Sequence, residues 1–357
     1  LEQLADEVVT LVQSYVDDDE DERFYCCDWG VLEDEDGSSL LAVAGEQRQV
    51  KAINCRTGEV HSVLQGHGAA IHEIRFHPTR PSLLLSGSAD ESVRLWHVLT
   101  RECVAVFAGA LGHRDAILSL DIRLDGAVFA SCGTDGCIKV WSLRSNGLER
   151  CIKAATPADG DRPPPSAQPA PAMHSTVQPY YEHFPLFSEA SIHHDKKTGV
   201  SSYVDCVRWV GNCVLSRGSD GRAVLWEPPN MGVEYGSSVD PDPDPDAVES
   251  RTTAAPAREG VATIVAEYVI RSAAGIWFLR FSMDPQRRLF ALGNTRGEAS
   301  VWEVDRLPPK VLASVTLPGA PPTVRHTAIS RDARHLVCCC DDASVFVWTL
   351  PASSANK

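Results

Sequence analysis

Positive charge is in short supply: 33 Lys and Arg stand against 48 Asp and Glu, a formal net charge of −15. A surface that neutralises a phosphate backbone needs a basic excess, so direct DNA binding is not expected. A basic partner is favoured electrostatically. Long apolar runs are also missing; no stretch approaches the ~18–20 residues of a membrane-spanning helix, and no membrane partner is expected. The opening Leu1-Glu2-Gln3 turns acidic and lacks the basic-then-apolar layout of a secretory signal. No Gly-x-x-x-x-Gly-Lys-Ser/Thr stretch occurs, so no phosphate loop of that type and no cofactor is expected. Zinc-ribbon spacing is absent among the 12 cysteines. Cys132, Cys206, Cys213 and Cys338 to Cys340 sit in apolar strand-like runs, which reads as reduced core thiols of a cytosolic or nuclear protein. His193-His194-Asp195 has no third or fourth partner in view, so no metal site is expected.

What is present is a repeat. An apolar alternating strand leads into small residues and an Asp turn, and a second strand ends in Trp. Leu83-Leu84-Leu85-Ser86-Gly87-Ser88-Ala89-Asp90 precedes Val93-Arg94-Leu95-Trp96. Val128-Phe129-Ala130-Ser131-Cys132-Gly133-Thr134-Asp135 precedes Ile138-Lys139-Val140-Trp141. Weaker copies end at Trp226, Trp302 and Trp348, and an earlier one has Ile53 in the Trp place. Trp96 to Trp141 spans 45 positions and Trp302 to Trp348 spans 46. Both match the ~40–45 residues of a WD40 blade. Trp141 to Trp226 spans 85 and Trp226 to Trp302 spans 76. The excess falls on the Ala/Pro-rich residues 154–180 and the Asp-Pro-rich residues 228–260, expected to be mobile surface loops.

The expected fold is therefore all-β, a single WD40 propeller over residues 1–357. One small twisted sheet cannot cover both of its faces, but a ring of them covers each against the next. Six blades can be counted from about residue 24 to 351. Ahead of them Val8-Val9-Thr10-Leu11-Val12-Gln13-Ser14-Tyr15-Val16 alternates like a lone outer strand. A lone strand needs a ladder, so seven blades are expected, the first one incomplete, with inner strands upstream of Leu1. In WD40 repeats a Gly-His before the blade ties its ring to the turn Asp. His67 with Asp90 and Trp96, and His113 with Asp135 and Trp141, fit that structural pattern. A catalytic His–Asp pair would need a nucleophile at a matching offset, and none stands there.

Repeats of this kind do not specify function. The residues outside the repeat are more particular. Tyr15 to Trp29 contains an acidic run and then Phe24-Tyr25-Cys26-Cys27-Asp28-Trp29. Gly66-His67-Gly68-Ala69-Ala70-Ile71-His72-Glu73-Ile74-Arg75-Phe76-His77-Pro78 opens the next blade. His183-Phe184-Pro185-Leu186-Phe187-Ser188, Tyr203-Val204-Asp205-Cys206-Val207-Arg208-Trp209, Ile276-Trp277-Phe278-Leu279-Arg280-Phe281-Ser282 and Cys340-Asp341-Asp342-Ala343-Ser344 follow. Together they resemble the Polycomb family of extra sex combs and embryonic ectoderm development proteins (ESC/EED), from about residue 8 to 350 outside the two inserts.

The resemblance implies a nuclear, non-catalytic scaffold of a Polycomb repressive complex 2-type histone H3 lysine methyltransferase. Implied partners are the SET-domain methyltransferase subunit (E(z)-type), a Su(z)12-type subunit and a trimethyl-lysine histone H3 tail, whose binding on the propeller top stimulates the enzyme. A trimethylated lysine keeps its charge but donates no hydrogen bond, so aromatic faces must recognise it, at roughly 0.5–2 kcal/mol per ring. By resemblance the cage residues are Tyr25, Trp277 and Phe278, the last usually Tyr in the family. A fourth aromatic is expected upstream of Leu1. Arg325, in Val324-Arg325-His326, matches an arginine that contacts the peptide backbone. A different WD40 scaffold, such as a ubiquitin-ligase substrate adaptor, often carries Trp-Asp-x-Arg after a blade Trp. Trp141-Ser142-Leu143-Arg144 has the Arg without the Asp.

Overall fold

The computed structural model describes residues 10–31, 37–156, 178–194, 202–229, 260–270, 272–319 and 322–349. The first blade contains β1 (Phe24–Val31), β2 (Ser39–Gly45), β3 (Gln49–Asn54) and β4 (Val60–Gln65). The second contains β5 (Ile71–Phe76), β6 (Leu83–Ser88), β7 (Val93–His97) and β8 (Glu102–Phe107). In the third, β9 (Ile117–Ile122), β10 (Val128–Gly133) and β11 (Ile138–Ser142) are followed by helix α1 (Asn146–Ala155). The chain then returns through β12 (Tyr180–Glu182), which pairs parallel with β8, and β13 (Phe187–Glu189), which completes the third blade. The fourth is β14 (Val204–Val210), β15 (Cys213–Gly218), β16 (Arg222–Glu227) and β17 (Thr263–Val269). The fifth is β18 (Ser282–Met283), β19 (Leu289–Gly293), β20 (Glu298–Glu303) and β21 (Val311–Thr316), and the sixth β22 (Val324–Ile329), β23 (His335–Cys340) and β24 (Val345–Thr349).

Burial explains why β6 and β10 carry so little polarity. Every residue of both is buried, because each lies mid-blade with another blade on either face. Five apolar clusters fill the successive interfaces. Trp96 belongs to the one between blades one and two, Phe107 and Trp141 to the next, Trp226 to the third, Trp302 to the fourth and Trp348 to the fifth. Among the described residues no such cluster joins the sixth blade to the first.

The structure has six blades, which corrects the expectation of seven. Thr10 to Val16 forms no strand, and Leu11, Val12 and Val16 are exposed. An alternating pattern makes a strand only where a neighbour supplies a ladder, and here Asp17 is instead tied to Lys51 on β3. Val8 and Val9 lie outside the described residues. The insert boundaries are also corrected. The first expected loop begins after α1 rather than at 154, and Tyr180 already belongs to β12. The remainder of that insert, 157–177, and most of the second, 230–259, lie outside the described residues.

Helix α1 was not anticipated, although its signals are local. Ser145 caps it by accepting the Leu148 amide at 3.1 Å, and Leu148, Ile152 and Ala155 form a buried stripe at helical spacing. The stripe packs into the cluster that holds Phe107 and Trp141. No helix of the described residues is long and apolar enough to cross a membrane. All 12 cysteines are free.

Candidate functional site

One irregularity recurs at the start of the innermost strands. In β1 the pairing to β2 jumps from Phe24 to Cys26, leaving Tyr25 unpaired. In β5 it jumps from Ile71 to Glu73 over His72, in β9 from Ile117 to Ser119 over Leu118, in β14 from Val204 to Cys206 over Asp205, and in β22 from Val324 to His326 over Arg325. Each is a β-bulge, which re-aims the skipped side chain out of the sheet. The innermost strands run in the same sense around the axis, so their starts share one mouth of the propeller. The bulge also fixes its partner residue: a Cβ on Gly45 would stand 1.8 Å from the Arg23 carbonyl oxygen.

Of these five bulge residues, His72, Asp205 and Arg325 touch the loop around Trp277 and Phe278, and Tyr25 and His72 contribute rings to one row. The Tyr25 and His72 rings are 5.8 Å apart, His72 and Phe278 are 6.2 Å apart, and Phe278 and Trp277 are 5.9 Å apart. Trp277 is 52% exposed, while Tyr25, His72 and Phe278 are half-buried. The mouth is therefore open to a ligand. Trp277 and Phe278 meet directly, and Tyr25 joins them through His72, a residue to which sequence reasoning assigns no role. Phe278 adopts φ 63°, a left-handed conformation that strains a bulky residue by about 1–3 kcal/mol.

Burial and the neighbouring charges both favour the neutral forms of Tyr25 and His72. The Tyr25 hydroxyl donates to Glu46 Oε2 at 2.6 Å, and that carboxylate, with burial, raises the phenol pKa. Burial lowers the His72 pKa, and Arg280 adds to the effect. The imidazole Nδ1–H donates to the Ile117 carbonyl at 2.9 Å.

Beneath the row, Arg280 lies with its guanidinium carbon 4.6 Å from the Phe278 ring centroid. It donates to Glu73 at 3.0 Å and to the His72 and Leu118 carbonyls at 2.7 Å. Burial would raise the Glu73 pKa, but Arg75, Arg280, Arg208 and the Ser119 hydroxyl overcome it and bring it to about 2. One face of Phe278 thus already holds a cation, in the geometry that a methylammonium would use on another aromatic face. Arg325 reaches the same mouth with its guanidinium engaged. It pairs with Asp341 through two nitrogens and donates to the Trp277 carbonyl at 3.0 Å. In this geometry it steadies Trp277.

The histidine networks lie behind the mouth. His67 Nδ1 donates to Asp90 at 2.8 Å, Ser86 Oγ bridges to His67 Nε2 at 2.7 Å, and Trp96 Nε1 donates to Ser86 at 2.8 Å. His113, Asp135, Ser131 and Trp141 repeat this at 2.9, 2.8 and 2.9 Å. A third copy links His193, Asp220, Ser216 and Trp226. The serine is the member that sequence reasoning overlooked, although it stands ten residues before the Trp in all three. Each chain consumes both ring nitrogens of its histidine, so these residues hold turns in place. At the other end of the axis a cavity of about 430 Å³ is lined by Asp28, Arg75, Asp121, Arg287 and His326. No cluster able to hold a metal ion occurs among the described residues.

Blades of this period, three of them braced internally by His–Asp–Ser–Trp networks, define a WD-repeat propeller. The WD domain, G-beta repeat model matches residues 58–97, 101–142 and 313–349. Polycomb protein esc of Drosophila virilis is 35% identical over 342 residues, 95% of this chain and 72% of that protein. Polycomb group protein FIE1 of Oryza sativa subsp. japonica is 35% identical over 346 residues, 97% of this chain and 80% of that protein. The chain belongs to this ESC/EED family of Polycomb WD40 proteins. Among solved structures, a chain of ctPRC2 in complex with H3K27me3 and H3K27M matches with a TM-score of 0.68 at 19% identity, covering 94% of this chain and 83% of that one.

Proposed function

We propose that this chain is the non-catalytic scaffold of a nuclear, Polycomb repressive complex 2-type histone H3 lysine methyltransferase. It holds the E(z)-type SET-domain subunit and the Su(z)12-type subunit. Its aromatic mouth receives the trimethyl-lysine of the histone H3 tail, and occupancy stimulates the methyltransferase. The observation that carries this reading is the open row Tyr25–His72–Phe278–Trp277, built from three separate stretches of chain at one end of the axis. A fixed cation without a hydrogen-bond donor suits such rings and gains little from an ordinary polar pocket. The formal net charge of −15 adds long-range attraction for a basic tail. The family relation and the related complex solved with H3K27me3 support the same assignment.

Calorimetric titration with a trimethylated and an unmodified histone H3 peptide tests the reader role. Tighter binding of the methylated peptide, lost with Phe278→Ala, is the expected result. Equal affinity for the two peptides, or an unchanged affinity in Phe278→Ala, overturns it. Co-purification of the methyltransferase subunit with the tagged chain tests the scaffold role, and recovery of a ubiquitin ligase in its place would replace that role.

A further inference from the structure

The loop that carries Trp277 and Phe278 has almost no ladder of its own. Between β17 and β18, among the described residues, its one strand-like contact is an isolated bridge from Arg280 to His326. It contains left-handed Ser272 (φ 55°), Gly275 (φ 75°) and Phe278 (φ 63°). Such a segment keeps one conformation only if something outside it satisfies its backbone.

Much of that role falls to one buried ion pair in the fourth blade. Arg217 on β15 and Asp205, the bulge residue of β14, are both 0% exposed and paired. Arg217 Nη2 donates to the Ala273 carbonyl at 2.7 Å and to the Ile276 carbonyl at 2.9 Å. Asp205 Oδ2 accepts the Leu279 amide at 3.2 Å. The pair therefore grips the backbone at two points before Trp277–Phe278 and one point after. The planar guanidinium divides the work, with Nη1 on Asp205 and the two hydrogens of Nη2 on the two carbonyls, whereas an ammonium has a single nitrogen for all three partners. The position is unusual within the repeat. Gly87 and Cys132 hold the corresponding place after the network serine in the second and third blades, whereas Arg217 follows Ser216. A fully buried pair contributes little net stability compared with apolar residues of the same volume, so stability alone does not account for it.

We propose that Arg217 and Asp205 are positioning residues of the aromatic mouth: they hold the 272–279 loop in a single conformation and thereby set its affinity for methyl-lysine. The affinity clause rests on the reader role above, while the loop clause does not.

The test uses the whole chain with Arg217→Met/Asp205→Leu, which removes the pair without leaving an orphan charge, and with Arg217→Lys, which keeps a cation beside Asp205 but has no second nitrogen to hold the Ala273 and Ile276 carbonyls. Hydrogen exchange followed by mass spectrometry reads the loop segment 272–281, and titration with trimethylated histone H3 peptide reads the mouth. In the folded double variant, exchange in 272–281 should accelerate at least about tenfold and the peptide Kd should rise about tenfold, as expected when a preorganised loop must be ordered on binding. Arg217→Lys should recover part of both. Unchanged exchange in 272–281 overturns the proposal outright. Faster exchange with an unchanged peptide Kd overturns the affinity clause. If the unsubstituted chain binds no methylated peptide, the reader role and the affinity clause fall together, and the exchange rates still decide the loop clause. If the double variant does not fold, Arg217→Lys carries both readouts with smaller changes of the same sign.

Discussion

Tyr25 and His72 are the skipped residues of two successive blades, and their rings stand 5.8 Å apart. His72 thereby joins Tyr25 to Phe278, whose ring it meets edge-on at 6.2 Å. Replacing His72 with Ala should weaken trimethyl-lysine peptide binding about 2- to 30-fold, the effect of losing one aromatic wall. His72→Phe should retain most of the affinity. Calorimetry on both variants checks this, and equal losses would show that the imidazole acts through its hydrogen bond to Ile117 and not through its face.

Glu73 is the single buried carboxylate shared by Arg208 and Arg280, with Arg75 beside it. Glu73→Gln keeps the shape and leaves buried guanidinium charge uncompensated. The cost should be about 3–5 kcal/mol, as for other buried pairs broken from one side. A guanidinium chloride unfolding curve measures it.

Ser131 satisfies both His113 Nε2 and Trp141 Nε1. Ser131→Ala leaves two buried ring nitrogens without a partner, at about 1–3 kcal/mol for each. Ser86→Ala and Ser216→Ala should behave alike, because the same network repeats around them. Thermal unfolding of the three variants compares them directly.

Acid should destabilise the fold in two stages. Burial lowers the pKa of His67, His72, His77 and His97, so the folded chain keeps these rings neutral. The unfolded chain takes up protons first, and stability should fall as the pH drops below about 6.5. Glu73, Asp90, Asp135 and Asp220 have lowered pKa values despite burial that opposes the shift, because Arg or His partners and hydrogen bonds outweigh it. The stability they contribute is present above their unfolded pKa values, about 4, and is lost as the pH falls toward the folded ones. Tm should be level from about pH 8 to 7 and decline in two steps below. A Tm that holds constant from pH 7 to 5 would contradict the histidine stage.

Much of the ring was legible in the chain. The apolar runs that open Leu83–Ser88 and Val128–Gly133, the His and Asp that flank them and the spacing of Trp96, Trp141, Trp302 and Trp348 are signals carried by the chain itself. A local period is readable because neighbouring residues impose it. Val8 to Val16 carries an alternating pattern, yet its described part forms no strand, because a strand also needs a partner that its own residues cannot supply. Helix α1 shows the opposite failure: its cap and stripe were in plain view beside a Pro-rich insert whose composition suggested a loop.

By itself, then, the sequence determined the blade, its period, its Trp-centred interfaces and the residue types at the mouth. Only the tertiary structure decided how those residues meet. Bulges turn Tyr25 and His72 toward one axis, Arg280 reaches Glu73 from 207 positions away to lie under Phe278, and Arg325 turns to Asp341 and the Trp277 carbonyl. The reason is physical: side-chain alternation is fixed by bonded neighbours, whereas a cation's choice of partner is fixed by whichever charge or ring the closed fold brings within reach.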